Sequence, residues 1–354
     1  MSTRQYRSGI SPPVLADVAR EAGVSTASVS RVLNAPDTVR PVTREKVVNA
    51  IRTLGYVPDG AARALASGRL NTIGAIVPTL DNAIFASGIN AFQRRLAQRN
   101  YTLLVASSEY DQHEEIREVQ ALVVRGVDAM MFIGEAHAPE VYQAVQRRGI
   151  PYVNTWMYSP DSPHPCIGFD NRGAARRVAN HLLDLGHKHL AMIAGILNHN
   201  DRAQHRLAGV REALTTRLGA SSAHEMHVVE RPYEIREGRD AFRMLIRLPN
   251  PPTAIICGND VLAVGALFEA LTMGLNIPED ISITGFDDLP IAANLLPPLT
   301  TVRVPSATMG HKAADFLLDR LQGITPSQHT ELEADLVLRG TTAPPRQHAL
   351  PNMV

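Results

Sequence analysis

The stretch VLADVAREAGVSTASVSRVLN, Val14 to Asn34, decides how the rest of the chain is read. Leu15, Val18, Ala19 and Ala22 recur at i, i+3, i+4 and i+7, the spacing of one buried helix face. Gly23 follows where a helix end needs a residue that tolerates positive φ. Ser25 then stands in an N-cap position, its oxygen available to a first-turn amide. Val29, Val32 and Leu33 form the inner face of a second short helix, leaving Thr26, Ala27, Ser30 and Arg31 outward. A third helix is expected from about Thr43, with Val47, Ala50, Ile51 and Leu54 inward and Gly55 as its stop. Two short helices joined by a tight turn and followed by a third make a three-helix unit.

The outer face of the second helix has a chemical meaning. Short side chains allow close approach to base edges in a DNA major groove. The methyl groups of Thr26 and Ala27 can touch a thymine methyl, and Arg31 can bond guanine or phosphate. Ser25 and Ser30 are short hydroxyl donors suited to phosphate oxygens. Charge agrees: residues 1–70 carry ten Lys or Arg against five acids, although the 354-residue chain is formally neutral. A basic head on an acidic body points to a polyanionic partner.

The whole chain bounds the class. Apolar content of 45% and charged content of 20% describe an ordinary globular protein. Two cysteines, Cys166 and Cys257, argue against a disulfide scaffold and fit a reducing compartment. No signal segment or membrane-length apolar run is seen, so a cytoplasmic protein without a membrane partner is expected. From Thr72, apolar strand candidates (TIGAIVP, YTLLVA, DAMMFI, PYVN, HLAMIAG, TAIICG, ISITGF) alternate with amphipathic helices such as 86–99 and 202–217. That alternation predicts an α/β body, and its strand count predicts two doubly wound parallel sheets with a ligand cleft between them. No phosphate loop, dinucleotide fingerprint, clustered metal ligands or activated nucleophile appears, so no cofactor, metal or catalytic residue is expected.

The segments DVAREAGVS, SVSRVLN, TREKVVNAIRTLGYVPD and ARALASGR, in this order, resemble the lactose-repressor (LacI/GalR) family of bacterial transcription regulators. The similarity continues through nearly the whole chain. It implies a helix-turn-helix domain at 12–57, a hinge helix and linker at 58–70, and an effector-binding and dimerisation body at 71–343. The first lobe is expected at 71–168 plus 292–325 and the second at 169–291 plus 326–343, with a disordered tail at 344–354. In the family the hinge helix orders on DNA and a leucine, here Leu65, wedges into the minor groove. Arg40 replaces the usual serine cap of the third helix and could contact phosphate; Val14 replaces a polar residue before the first.

The resemblance also assigns an effector site. Asn82, Ile84 and Phe85 match the loop lining the first-lobe side. Arg206, with Asp201 and Arg202 on the same approach, matches an arginine that holds ligand oxygens, and Tyr233 an aromatic that stacks on the ligand. Asn259 in CGND and Asp287 in GFDD match polar contacts from the second lobe, and Trp156 lies at another ligand position. FIGEAHAP and IGFDN are similar to the gluconate-repressor branch, where Arg202, Arg206 and His137 would suit a sugar acid. The implied function is a homodimeric repressor on a near-palindromic double-stranded DNA operator, switched by a small carbohydrate or sugar acid. A sugar-binding protein or sugar-modifying enzyme sharing the body fold is the alternative.

Overall fold

The computed structural model of the protein describes residues 12–57, 70–81 and 83–346. Two compact units divide at Leu70 and Asn71. The head holds α1 (Leu15–Ala22), α2 (Thr26–Asn34) and α3 (Pro41–Leu54). Each boundary has a local cause. Gly23 takes φ 63° and ends α1, while the Val24 amide closes back on the Ala19 carbonyl. Ser25 caps α2 by accepting from the Ser28 amide at 3.1 Å. Val14 has no capping side chain, but its own N–H donates to Asp17 Oδ2 at 3.0 Å. The third helix starts two residues before the expected Thr43, because Pro41 is preset for a first helical turn. Val18, Val29 and Val47, one from each helix, meet in a fully buried core. The hinge segment 58–69, with Leu65, lies outside the described residues.

The body is two lobes of parallel sheet. The first lobe opens with β1 (Thr72–Val77), α4 (Ala86–Ala97), β2 (Thr102–Ser107) and α5 (Gln112–Val124). It continues through β3 (Ala129–Ile133), α6 (Pro139–Gln146), β4 (Tyr152–Thr155) and β5 (Cys166–Gly168). The second lobe runs α7 (Asn171–Asp184), β6 (Leu190–Ala194), α8 (Asp201–Leu218), α9 (Ala220–Glu225) and β7 (His227–Glu230). It ends with α10 (Ile235–Ile246), β8 (Ala254–Cys257), α11 (Asp260–Thr272) and β9 (Ser282–Thr284). The chain then returns through β10 (Thr301–Arg303), α12 (Ser306–Leu321), β11 (His329–Glu331) and β12 (Asp335–Val337).

The six-stranded sheet has the order β11-β5-β4-β3-β1-β2 and the four-stranded sheet β7-β6-β8-β9. Every pairing in both is parallel. Central strands β3, β6 and β8 are buried at every residue, as a sheet covered on both faces requires. The return path differs from expectation at both ends. Ala292 and Leu299 bury in the second lobe's core, so the chain leaves that lobe later than 292. The strand at 329–331, expected in the second lobe, is the edge of the first lobe's sheet, hydrogen-bonded to β5. The tail expected loose from 344 is still tied at Arg346, which pairs with Asp280; residues 347–354 lie outside the described residues.

One close packing positions the cleft. On α12, a Cβ at Gly310 would stand 2.1 Å from the Gly88 carbonyl oxygen of α4, and one at Gly88 would stand 2.3 Å from the Trp156 ring. These glycines let two helices and the indole share one layer. Gly310→Ala is therefore expected to cost about 1–3 kcal/mol by overpacking. Urea unfolding of the full chain measures it.

Candidate functional site

The carboxyl ends of the two sheets face each other, and the loops leaving them build a narrow pocket. Ile84 and Phe85 come from the loop after β1, and Trp156 from the end of β4. Arg202 and Arg206 stand on the first turns of α8, Tyr233 follows β7, Asn259 follows β8, and Asp287 follows β9. All eight were expected from the sequence, and the structure brings them together around one cavity. Asn82 lies outside the described residues.

Apolar and polar parts divide the labour. Phe85 and Trp156 meet edge to face at 5.4 Å, making a rigid aromatic wall. Arg206 is buried, with its guanidinium carbon 3.7 Å from the Phe286 ring centroid. Its Nε donates to Asn171 Oδ1 at 2.9 Å and its Nη1 to the Gly258 carbonyl at 2.7 Å. Nη2 turns toward Asp287 at 3.7 Å, too far for a hydrogen bond. Burial opposes the guanidinium's charge, while the nearby carboxylate of Asp287 supports it.

Several pocket groups have no hydrogen-bond partner among the described residues. They are both carboxyl oxygens of Asp287, the indole Nε1 of Trp156 and the amide Nδ2 of Asn259. Buried polar groups in folded proteins are nearly always bonded, so these atoms are available to a partner in the cavity. Asn259 shows the division within one side chain. Its Oδ1 caps α11 by accepting from Leu262 at 2.9 Å, and its amide nitrogen is left for the cavity. Asp287 sits at φ 110° and Trp156 at φ 60°, conformations unfavourable for non-glycine residues and common at functional sites. Burial pushes the Asp287 carboxyl up to about 7, against the pull of Arg206 and Arg202. Below it, burial and Asp287 push Asp260 up to about 8.

The lobes also grip each other directly. Arg202 Nη1 donates to the Ile133 carbonyl at 2.8 Å, and Asp201 Oδ2 accepts from the Glu135 amide at 3.2 Å. These contacts latch the start of α8 to the loop after β3. Gly134, at φ 90°, makes room: a Cβ there would fall 1.8 Å from Arg202 Nη1. Arg202 thus serves the latch as well as the pocket. His137 faces away from this pocket. It joins Glu115 Oε1 at 2.7 Å and the Gly134 carbonyl at 3.1 Å, and lines a neighbouring polar cavity, which removes it from the expected acid-binding set.

Sequence reading missed three residues. Tyr110 lines the pocket and meets Tyr233 across the cleft at 5.6 Å between ring centroids. Asn200 lines it too, donating to the Tyr233 hydroxyl at 3.1 Å. Asn171 holds Arg206 and donates to the Trp156 carbonyl at 2.9 Å, tying both sides of the cleft. Asn171 belongs to the IGFDN motif, whose N-cap Asp170 and following asparagine were the available signal.

In the head, Ser25, Thr26, Ala27, Arg31 and Arg40 are exposed and Ser30 half-buried. The Ser25 oxygen is occupied as a cap, and Ser30 Oγ accepts from Asn34 at 3.3 Å. Thr26, Ala27, Arg31 and Arg40 are therefore the freest of the group to meet a partner.

Comparison with known proteins agrees with both units. The profile of the bacterial regulatory proteins of the lacI family matches residues 14–59, and that of a periplasmic binding protein-like domain matches residues 179–342. The Escherichia coli K12 HTH-type transcriptional repressor CytR is 33% identical over 327 residues, covering 92% of this chain and 95% of its own. The lac repressor dimer bound to operator and the anti-inducer ONPF aligns with a TM-score of 0.83 at 28% identity, over 94% of this chain and 100% of that one. The regulator CelR in complex with cellobiose aligns with a TM-score of 0.66 at 29% identity, over 93% and 99%. The chain belongs to the lacI family of bacterial regulatory proteins. It is a ligand-responsive, DNA-binding transcriptional regulator. Among the described residues no helix is long and apolar enough to cross a membrane, and no group of three His, Cys, Asp or Glu could hold a metal ion.

Two measurements follow from the pocket. Asp287 is raised in the folded state, so the stability it contributes is full below the unfolded carboxyl value and is lost as pH rises toward 7. The stability difference between wild type and Asp287→Asn is expected to shift in the variant's favour from about pH 4 up to about 7 and to level off above that, read by denaturant unfolding. Gly134→Ala should expose the Glu135 amide, raising its hydrogen-exchange rate at least tenfold while leaving β6 and β8 protected.

Proposed function

We propose that the protein is a transcriptional repressor. It binds a near-palindromic operator as a homodimer in the cytoplasm and is switched by a small carbohydrate or sugar acid in the interlobe pocket. The carrying observation is the set of polar groups without a hydrogen-bond partner among the described residues, the Asp287 carboxyl, Trp156 Nε1 and Asn259 Nδ2, around an aromatic-walled cavity. Flat aromatic faces suit the apolar side of a sugar ring, and paired donors and acceptors suit its hydroxyls. Two relatives support the reading: one was solved on operator DNA and another with cellobiose.

At the head, Thr26, Ala27 and Arg31 read base edges while Ser25, Ser30 and Arg40 meet phosphates. Two copies of α2 in successive major grooves account for a near-palindromic site. In the body, Arg206, Asp287 and Asn259 hold the effector's polar edge and Ile84, Phe85, Trp156 and Tyr233 its faces. The effector favours one arrangement of the lobes, and that preference changes DNA affinity by population shift. The homologues are regulators, and no residue is given a catalytic role.

The test is fluorescence anisotropy on DNA from upstream of the protein's own gene, repeated with pools of sugars and sugar acids. Selective binding that weakens steeply as salt rises from 50 to 200 mM is expected from phosphate contacts. Affinity indifferent to salt would show that the basic head has been misread. Trp156→Phe keeps the aromatic wall and removes one donor, so it should weaken effector response about 3–10-fold, the worth of one hydrogen bond. Arg206→Ala should abolish the response and leave DNA affinity within twofold; a normal response would remove Arg206 from the site.

A further inference from the structure

One peptide unit carries part of the latch between the lobes, and it is held at both ends. The Gly134–Glu135 peptide donates its N–H to Asp201 Oδ2 at 3.2 Å, and its carbonyl stands 3.1 Å from His137 Nε2. The other ring nitrogen is also engaged: Nδ1 lies 2.7 Å from Glu115 Oε1, on α5. A backbone carbonyl only accepts hydrogen bonds, and so does an ionised carboxylate. A neutral imidazole has one N–H and can serve only one of these two acceptors. Both bonds need either the imidazolium beside an ionised Glu115, or a neutral ring with the proton left on Glu115.

The surroundings favour the imidazolium. The two side chains are only 6% and 9% exposed, so their pairing is shielded from water. Asp111 and Asp201 line the same cavity, and Glu135 stands in the same turn. The one guanidinium there, Arg202, is already bonded to Asp201 and to the Ile133 carbonyl. Neighbouring carboxylates stabilise a cation beside them. The remaining titratable neighbours add no competing charge. Burial holds His164 below its usual range, and a charge on His137 pushes it the same way. Burial pushes the hydroxyls of Tyr110 and Tyr142 up, and His199 sits exposed at the cavity's edge.

We propose that His137 is a positioning residue of the interlobe latch: held as an imidazolium by Glu115, it fixes the Gly134–Glu135 peptide so that the N–H meets Asp201, and losing that proton loosens the latched arrangement. A charged donor on the carbonyl polarises the peptide and strengthens the N–H at its other end. Gly134, at φ 90°, has no side chain to hold this plane, so the bonds at its two ends do so. The device joins α5 of the first lobe to α8 of the second and does not depend on which effector the pocket takes.

The full chain, isotope-labelled at the histidine nitrogens, tests the ring first by NMR. His137 is assigned by the signal lost in His137→Gln, and both its nitrogens should carry a proton at about pH 6. A ring with a single protonated nitrogen there overturns the proposal, whether or not any variant folds. Hydrogen exchange at the Glu135 amide, corrected for the intrinsic pH dependence of exchange, reads the latch. Protection should be greatest at low pH and fall roughly tenfold or more from about pH 6 to about 8.5, the worth of a charge-assisted bond. Strands β6 and β8 should keep their protection. Asp287 and Asp260 also titrate in this interval, so His137→Gln is the control. It keeps a donor for the Gly134 carbonyl and does not titrate, and its Glu135 protection should not change with pH. Glu115→Gln should move the loss to lower pH, because no carboxylate holds the ring's proton. Protection independent of pH in the wild type, or a pH dependence that survives in His137→Gln, overturns the proposal.

Discussion

The buried guanidinium of Arg206 is the constraint on which the cleft depends. A charge taken out of water must be compensated on every side. Here the compensation comes from several separate segments: Asn171 at the start of α7, the Gly258 carbonyl after β8, the Phe286 ring after β9 and, at longer range, Asp287. Each is the end of a strand or the start of a helix. Satisfying one side chain therefore fixes how three loops converge on the start of α8, and the pocket is the space that convergence leaves. Asn171 extends the network across the cleft by holding the Trp156 carbonyl.

A site organised this way serves recognition more readily than chemistry. Arg206 lies near Asp287 without bonding it, so burial still holds the carboxyl up at about 7 and both its oxygens lack a donor among the described residues. The free groups are placed around a cavity and not around a reacting atom. Binding energy gathered there is available to favour one lobe arrangement over another. The direct latch of Asp201 and Arg202 on the loop after β3 supplies the protein's own term in that balance.

Much of this was legible in the sequence, and what was not has a common cause. The head could be read because its helices follow a 3.6 period and end on Gly23 and Ser25, signals carried by adjacent residues. The sheets could be read because buried parallel strands are continuous apolar runs. The residues expected around the cleft came from motifs that match the lacI family, and eight of them line one cavity at the strand ends. Tyr110 escaped because it stands in an irregular turn at φ 59° with no periodicity around it. The second role of Arg202 and the turning of His137 toward Glu115 depend on how two lobes meet, which no local pattern encodes. The strand at 329–331 was placed in the other lobe because a short strand joins whichever edge is open.

Asp287 carries a mechanical consequence. Its amide donates to the Val302 carbonyl, and it bridges Arg303 on β10, the strand that with β12 forms an antiparallel ribbon of the return path. Its neighbour Asp288 is paired with Arg303 and Arg339 on either side of that ribbon. The carboxylate that would read a ligand is thus welded to the connector and not to the tip of a lobe. A pull applied there acts with almost no lever arm, so ångström-scale adjustments at the ligand become angular adjustments of whole lobes. Small molecules differing by one hydroxyl can then differ in how far they turn the body, as well as in how tightly they bind.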